Sequence, residues 1–283
     1  MKLASVIIVT KNQPLYLKKC LKSLLNQTYQ NYEIIIVDDN STNETETLIK
    51  SLNSKKVKYF YNKDNKGIAA LRNFGINQSK GDYIFFTDSD CLPVKNWIEE
   101  GVDELANSNV AGVEGKTIAE HQNYGASFRA VENYEGGQYQ TCNIAYKKKY
   151  IVDCGMFDES YKVAYEDIDL AIRVKTLNKI IFCKGMLVLH QIVPWTFRDL
   201  ISNAKRAKYK VLLVKKHNYR KILNFNILEI NSLIQVIFPF LLLFYYRIKS
   251  VRDLYFIPLL YIRAVLHRLV VWMTSIINKT FIF

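Results

Sequence analysis

At 283 residues the chain is long enough for one large or two modest domains with a sizeable core, and its 49 % hydrophobic content, at the top of the globular range, hints at a membrane-facing part. Five cysteines, odd in number and with no C-x-x-C pair, argue against a zinc site or a disulfide framework and for a reducing compartment. The net charge of +13 is concentrated: from Gln191 onward there are 15 Lys and Arg against three acids, whereas residues 1–190 are nearly neutral. A neutral body with a basic, apolar tail fits an anionic membrane surface better than nucleic acid, and no nucleic-acid partner is expected.

Ala4–Val9 is a continuous β-branched run that reads as a first buried strand; it starts too close to Met1 for a secretory leader. Asn12 and Pro14 open a helix with Leu17, Leu21, Leu24 and Leu25 on one face. Glu33–Val37 is a second strand ending in Asp38-Asp39-Asn40-Ser41-Thr42. Thr45–Leu52 reads as a helix, Val57–Tyr61 as a strand and Gly67–Gln78 as a helix. Tyr83–Phe86 is a strand apolar on both faces, closed by Asp88-Ser89-Asp90. Strands alternating with helices predict a mostly parallel sheet. No G-x-G-x-x-G follows the first strand and no G-x-x-x-x-G-K-[ST] occurs, so dinucleotide oxidoreductase and P-loop NTPase are poor readings.

Ligands of open α/β sheets bind beyond the carboxyl ends of the strands, where Asp88 and Asp90 stand. Two neighbouring carboxylates there repel unless a cation neutralises them, and hard divalent ions prefer oxygen ligands. A solvated turn is the plainer reading of an isolated D-x-D.

Further on, Trp97–Ala106 reads as a helix, Gly112–Thr117 and Thr141–Tyr146 as strands, and Gly136-Gly137 as a flexible turn. Tyr165–Leu170 opens a helix with an acidic first turn, as the macrodipole favours, with Ile168, Ile172 and Leu177 facing inward. Ile180–His190 is a last strand ending in a histidine. Phe197–His217 is an amphipathic helix with the stripe Leu200, Ala204, Ala207, Val211 and Val214, surrounded by lysines and arginines. Ile227–Tyr246 and Leu254–Trp272 approach bilayer-spanning length, but Glu229, Gln235 and Pro239 interrupt the first and Arg263, His267 and Arg268 the second. They read as interfacial or re-entrant helices first, and as a spanning hairpin second.

The order of these pieces resembles the family 2 glycosyltransferases of the GT-A fold. The matched residues are Ser5–Thr10, Val37–Thr42, Lys66-Gly67 with Leu71-Arg72-Asn73, Thr87–Asp90, Gly155–Glu159 and Tyr165–Leu170, over about residues 3–190. The resemblance implies a Rossmann-like, mostly parallel α/β sheet sandwiched by helices. It divides the chain into a transferase domain over 1–195, with a nucleotide-sugar half over 1–110 and an acceptor half over 111–195, and a helical membrane-associating tail over 196–283. It implies base contact by Asp39 and Thr10, Asp88 by the ribose, Asp90 on a Mn²⁺ or Mg²⁺ ion, and Asp167 as the base that deprotonates the acceptor, supported by Glu166 and Asp169. Arg72 would pair with the diphosphate or with an aspartate of the site, and His190 would add a metal or phosphate contact.

The implied activity is inverting transfer of a sugar from a nucleotide sugar, a UDP sugar by the acidity of Asp39, to a glycan or lipid-linked acceptor at the cytoplasmic face of the membrane. Cell-surface polysaccharide or glycoconjugate synthesis is the expected setting. Two alternatives stay open: a non-catalytic nucleotide-sugar or glycan-binding protein on the same fold, and a nucleotidyltransferase. The segment Thr10–Pro14 lacks the Gly-rich basic loop that the second alternative favours.

Overall fold

The first apolar runs become neighbouring parallel strands because each is apolar on both faces and needs cover above and below. A computed structural model describes residues 1–42, 44–64, 66–217, 230–246 and 248–280, with backbone only for 230–233, 244 and 245. In chain order its first part holds β1 (Ala4–Thr10), α1 (Pro14–Leu24), β2 (Tyr32–Asp39), α2 (Glu44–Ser51), β3 (Val57–Asn62), α3 (Ile68–Gln78) and β4 (Tyr83–Thr87). Then come β5 (Cys91–Pro93), α4 (Trp97–Ala106), β6 (Val110–Ala119), β7 (Phe128–Arg129), β8 (Asn143–Lys147), α5 (Lys148–Asp153), α6 (Glu166–Leu177) and β9 (Lys179–His190). The remainder is β10 (Val193–Pro194), α7 (Phe197–Lys205), α8 (Ala207–His217), α9 (Ile230–Ile237), α10 (Leu242–Tyr245) and α11 (Val251–Ile277).

The chain divides into two compact units, residues 1–120 with 130–191, and residues 121–129 with 192–283. The first unit contains an eight-stranded sheet in the order β3-β2-β1-β4-β8-β6-β9-β5. β3, β2, β1 and β4 are mutually parallel, as expected, and so are β6 and β9; β8 runs against both its neighbours and β5 against β9. The sheet is therefore α/β as expected but mixed in its second half. Strand alternation splits its side chains into two cores. Val6, Ile8, Ile34, Ile36 and Phe85 meet α1 and α4 through Leu17, Leu21, Trp97 and Ile98. Ile7, Ile35, Val37, Ile84 and Phe86 meet α3 and α6 through Leu71, Ile76, Leu170 and Val174.

Several expectations shift. β6 is longer than Gly112–Thr117 and β8 starts at Asn143, Thr141 lying in the turn before it. Cys91–Pro93, which carries no strand signal of its own, is recruited by pairing Cys91 with His190. In α6 the buried apolar residues are Leu170, Ala171 and Val174; Ile168 and Ile172 are half-buried and Leu177 is 48 % exposed. The helix is turned because it buries Glu166 and Asp169, each held by an arginine: Arg72 and Arg173 respectively. All five cysteines are free and all but Cys154 are buried.

In the second unit the single helix expected over 197–217 breaks at Arg206 into α7 and α8, while its apolar stripe is buried as its pattern requires. The first long apolar stretch is not one helix: α9 ends before Phe238 and a 3₁₀ turn at Pro239–Leu241 leads into α10, while residues 227–229 lie outside the described residues. The second becomes α11, opened by a capping box between Ser250 and Asp253. Asp253 is buried and also accepts from the Ser127 backbone N–H and hydroxyl, both at 2.8 Å, so it ties the start of α11 to the 121–129 segment.

Gly115 shows how close the sheet packs. A Cβ there would lie 2.1 Å from the Met186 carbonyl oxygen and 2.4 Å from Asn143 Oδ1. Asn143 already spends its amide on the carbonyls of Lys116 and Met186 and accepts from Trp97 Nε1 at 2.8 Å. Gly115→Ala is expected to lower unfolding stability by about 2–3 kcal/mol, read from the urea midpoint; an unchanged midpoint would contradict this packing.

Candidate active site

The parallel strands β1, β2 and β4 all present their carboxyl ends to one edge of the sheet, which is where the chain leaves the ladder and polar side chains are free to gather. Thr10 closes β1 and is the register partner of Asp38; Asp39 closes β2. Asp38 is fully buried and spent on structure, accepting from the Ser41 N–H at 2.7 Å and the Tyr59 hydroxyl at 2.8 Å. Asp38 is thus the acid that holds the turn after β2. Asp39 Oδ2 accepts from Lys11 Nζ at 2.8 Å. Its Oδ1 and the Thr10 hydroxyl are buried and have no hydrogen-bond partner among the described residues. Such groups lose water without compensation, so this edge stores unsatisfied polar capacity.

Beyond β4 the middle residue of the acidic triplet turns inward: Ser89 is buried and donates to Gln13 Oε1. Asp88 and Asp90 are left towards the edge, with their side chains 37 % and 16 % exposed. The turn is held by the Cys91 N–H on the Asp88 carbonyl at 3.1 Å and by the Gln191 N–H on the Asp90 carbonyl at 2.8 Å. Pairing of Cys91 with His190 sets the histidine beside Asp90, with Nε2 3.7 Å from Asp90 Oδ1. His190 Nδ1 lies 2.8 Å from the Gln191 carbonyl, which only accepts, so Nδ1 carries a proton, and a ring without a second proton offers the Nε2 lone pair.

Asp90, Cys91 and His190 present ligand atoms within 4.8 Å of one another. A carboxylate oxygen and an imidazole nitrogen are a donor pair that a divalent cation can use, with further oxygens from a substrate. Burial raises the Cys91 thiol far above its usual pKa, which keeps it protonated and a poor ligand.

The acids of α6 reach this edge through Arg72. Its guanidinium is buried, pairs with Glu166 Oε1 and lies 3.5 Å from Asp88 Oδ1. Burial alone would lower the Arg72 pKa, but Glu166, Asp88 and Asp167 outweigh it and hold the charge firmly. Glu166 Oε2 has no partner among the described residues. Asp167 is half-buried at the first turn of α6, where Oδ1 accepts from the Ile168 N–H at 2.8 Å. Its pKa is pushed up to about 7, first by burial and then by the Glu166 carboxylate, with Arg72 partly offsetting both. Asp169 points elsewhere: it is fully buried and takes a fork from Arg173 Nε at 2.9 Å and Nη2 at 2.6 Å. The structure therefore brings Arg72, Asp88, Glu166 and Asp167 into one charge cluster, sets Asp90 with His190, and keeps Asp169 as a brace of its own helix.

The neighbouring loops are fixed by residues that sequence reasoning left without a role. Asn73 exchanges two hydrogen bonds of 2.9 Å with the Phe157 backbone. Gly67, at φ +91°, lies where a Cβ would meet the Lys162 carbonyl at 2.9 Å. Glu114 is buried in β6 and accepts from the N–H groups of Gly137, Gln138 and Tyr139 and from Asn133. A lone acid after the apolar run Val110–Val113 was the available signal for this cradle.

The sequence profile of the family described as Glycosyl transferase family 2 matches residues 5–158, more than half of the chain. The chain belongs to that family. A Haemophilus influenzae protein described as an uncharacterized glycosyltransferase is 33 % identical over 153 residues, covering 53 % of this chain and 56 % of the relative. The glycosyltransferase AglE of Haloferax volcanii is 28 % identical over 167 residues, covering 54 % and 55 %. The matches thus span about half the length of these curated relatives. Among solved structures, Staphylococcus aureus TarS 1–349 in complex with UDP superposes with a TM-score of 0.56 at 19 % identity, over 75 % of this chain and 66 % of that one. The Pyrobaculum calidifontis mannosyltransferase PcManGT in complex with GDP-Man and Mn²⁺ gives 0.61 at 16 % identity, over 96 % and 73 %. At these identities they show the fold, which is of the GT-A kind.

An acid whose pKa is raised by folding binds its proton more tightly folded than unfolded, so it costs stability as pH climbs from the ordinary carboxyl range to about 7. Asp167→Asn is therefore expected to gain roughly 1–4 kcal/mol over wild type between those limits and nothing further above them, followed by urea unfolding across pH. A difference independent of pH would contradict the placement of Asp167.

Proposed function

We propose that the protein is an inverting, metal-dependent glycosyltransferase of the hexosyltransferase type, moving a sugar from a nucleoside diphosphate sugar to a glycan or lipid-linked acceptor. The observation that carries the reading is the Arg72 bridge, which sets the α6 acids beside the acid at the end of β4. Transfer with inversion needs a base opposite a departing nucleotide, and the two sets of acids supply the two sides.

On the donor side, Asp39 Oδ1 and the Thr10 hydroxyl are unspent polar atoms at adjacent strand ends, suited to a base that offers an imide N–H to the carboxylate. This favours uracil, and with it a UDP sugar. Asp88 sits towards the ribose. Asp90 and His190 would hold Mn²⁺ or Mg²⁺, which when bound neutralises charge on the diphosphate. TarS with UDP and PcManGT with GDP-Man and Mn²⁺ support a nucleoside diphosphate donor on this fold.

On the acceptor side, Asp167 takes the proton of the attacking hydroxyl, while Glu166 and Arg72 set its charge and Asp169 holds α6 through Arg173. The acceptor oxygen bonds to the anomeric carbon as the bond from that carbon to the diphosphate oxygen breaks, and the diphosphate leaves from the opposite face. We assign this chemistry to the body over residues 1–195 and attachment to the cytoplasmic face of the membrane to residues 196–283. A lipid-linked acceptor for surface polysaccharide or glycoconjugate fits that arrangement.

Thermal-shift titration of the full chain with UDP, GDP and dTDP, with and without Mn²⁺, tests the donor site. Metal-dependent stabilisation by UDP in wild type, lost in Asp90→Ala, is expected. Absence of stabilisation by any of the three nucleotides would overturn the transferase reading.

A further inference from the structure

α11 is the one helix among the described residues long and apolar enough to cross a membrane. Its polarity is inverted relative to a surface helix of a soluble protein. The face turned into its own unit carries Asp253, Ala264, Arg268 and Ser275, all buried, along with Leu260 and Val271. Arg263 is spent on the same unit, donating to Asn203 Oδ1 at 3.1 Å and to the Tyr246 hydroxyl at 2.7 Å. Arg268 is buried with its guanidinium 5.0 Å from the Trp272 ring centre. The opposite side is apolar from end to end: Leu254, Tyr255, Ile262, Leu269, Trp272 and Met273 are all at least 40 % exposed. At 100° per residue these six fall within about 100° of one another, one continuous stripe along the helix. Of the charges that interrupt the sequence as a membrane span, Arg268 is thus buried on the inner face and Arg263 is half-buried and hydrogen-bonded within the unit.

We infer that this stripe is a docking face for an anionic lipid bilayer and that α11 lies in the plane of the membrane surface and does not cross it. The inference deepens the membrane attachment put forward above and rests on that reading. Two observations argue against crossing. α7 and α8 run alongside α11, with Asn203 at Arg263 and Lys215 Nζ 3.4 Å from Asn278 Oδ1. A spanning α11 would draw the exposed Lys205, Lys208, Lys215 and Lys216 of that neighbour into hydrocarbon, at high cost. With α11 in the plane of the interface, the same lysines reach the headgroups.

The charge also selects a bilayer over a second copy of this chain. From Gln191 onward the excess is +12, and of its three acids Asp199 and Asp253 are both engaged in helix-capping boxes. Two such faces repel one another, whereas lipid phosphates attract them.

Flotation of the full-length protein with vesicles tests this. Vesicles containing phosphatidylglycerol are expected to carry the protein, and phosphatidylcholine vesicles to carry much less. The double variant Ile262→Glu, Leu269→Glu is expected to lower binding by about tenfold or more. Both side chains are exposed, so nothing in the core changes, and an unchanged circular dichroism spectrum and thermal unfolding midpoint without nucleotide verify that the variant is folded. Lys208→Glu, Lys216→Glu is expected to weaken binding only to the anionic vesicles. Alkaline carbonate is expected to release the protein from cell membranes. Unchanged flotation of the folded stripe variant, resistance to carbonate, or a concentration-dependent dimer that floats with neither vesicle would each overturn the inference. Flotation with no nucleotide binding would leave it standing and sink the transferase reading instead.

Discussion

One buried guanidinium organises the site. Arg72 gives up water inside the sheet edge, and only carboxylates close by make that tolerable. Glu166 supplies the nearest and Asp88 a second at 3.5 Å. The consequence is geometric. The acid that follows β4 and the acids that open α6 come from segments far apart in sequence, and a planar fork is what joins them. A lysine would offer a point charge without the fork, so it would not hold two carboxylates in fixed directions.

The same bridge explains the charge on Asp167. Next to Glu166 and partly desolvated, Asp167 resists ionisation and sits at about 7, with Arg72 keeping it from rising further. That value matches what proton transfer near neutral pH requires. Around the bridge, Asn73 fixes the Phe157 backbone and Gly67 lets α3 approach Lys162, so the loop leading into α6 is tied to the helix that carries Arg72. The segments Lys66–Asn73, Gly155–Glu159 and Tyr165–Leu170 are therefore one contact system.

What the sequence made legible follows from where local pattern decides structure. The runs Ala4–Val9, Glu33–Val37 and Tyr83–Phe86 are apolar on both faces, and buried parallel strands are the structure that uses such runs. The stripe from Leu200 to Val214 is buried as its spacing requires. Less legible were features set by partners distant in sequence. Cys91–Pro93 is a strand because β9 offers it an edge. The inward face of α6 is set by Arg72 and Arg173 and not by its isoleucines. Asp38 and Asp39 look equivalent in sequence, yet Tyr59 and Ser41 claim the first and leave an oxygen of the second unspent. His190 could be named from its place at a strand end, but its tautomer depended on the Gln191 carbonyl. In the second unit, hydropathy marked α11 and its interrupting charges, but only packing showed Arg268 buried on the inner face and Arg263 bonded within the unit.

The central claim is that Asp167, held at its raised pKa beside the Arg72 bridge, removes the acceptor proton. The most direct measurement is turnover of the nucleotide sugar that the donor titration identifies, followed as nucleotide release against pH in wild type and in Asp167→Asn. The wild-type rate is expected to rise to a plateau above pH of about 7. The variant is expected to lose at least about a hundredfold in rate at every pH while still binding nucleotide. Wild-type turnover by Asp167→Asn, with the same pH dependence, would contradict this role for Asp167.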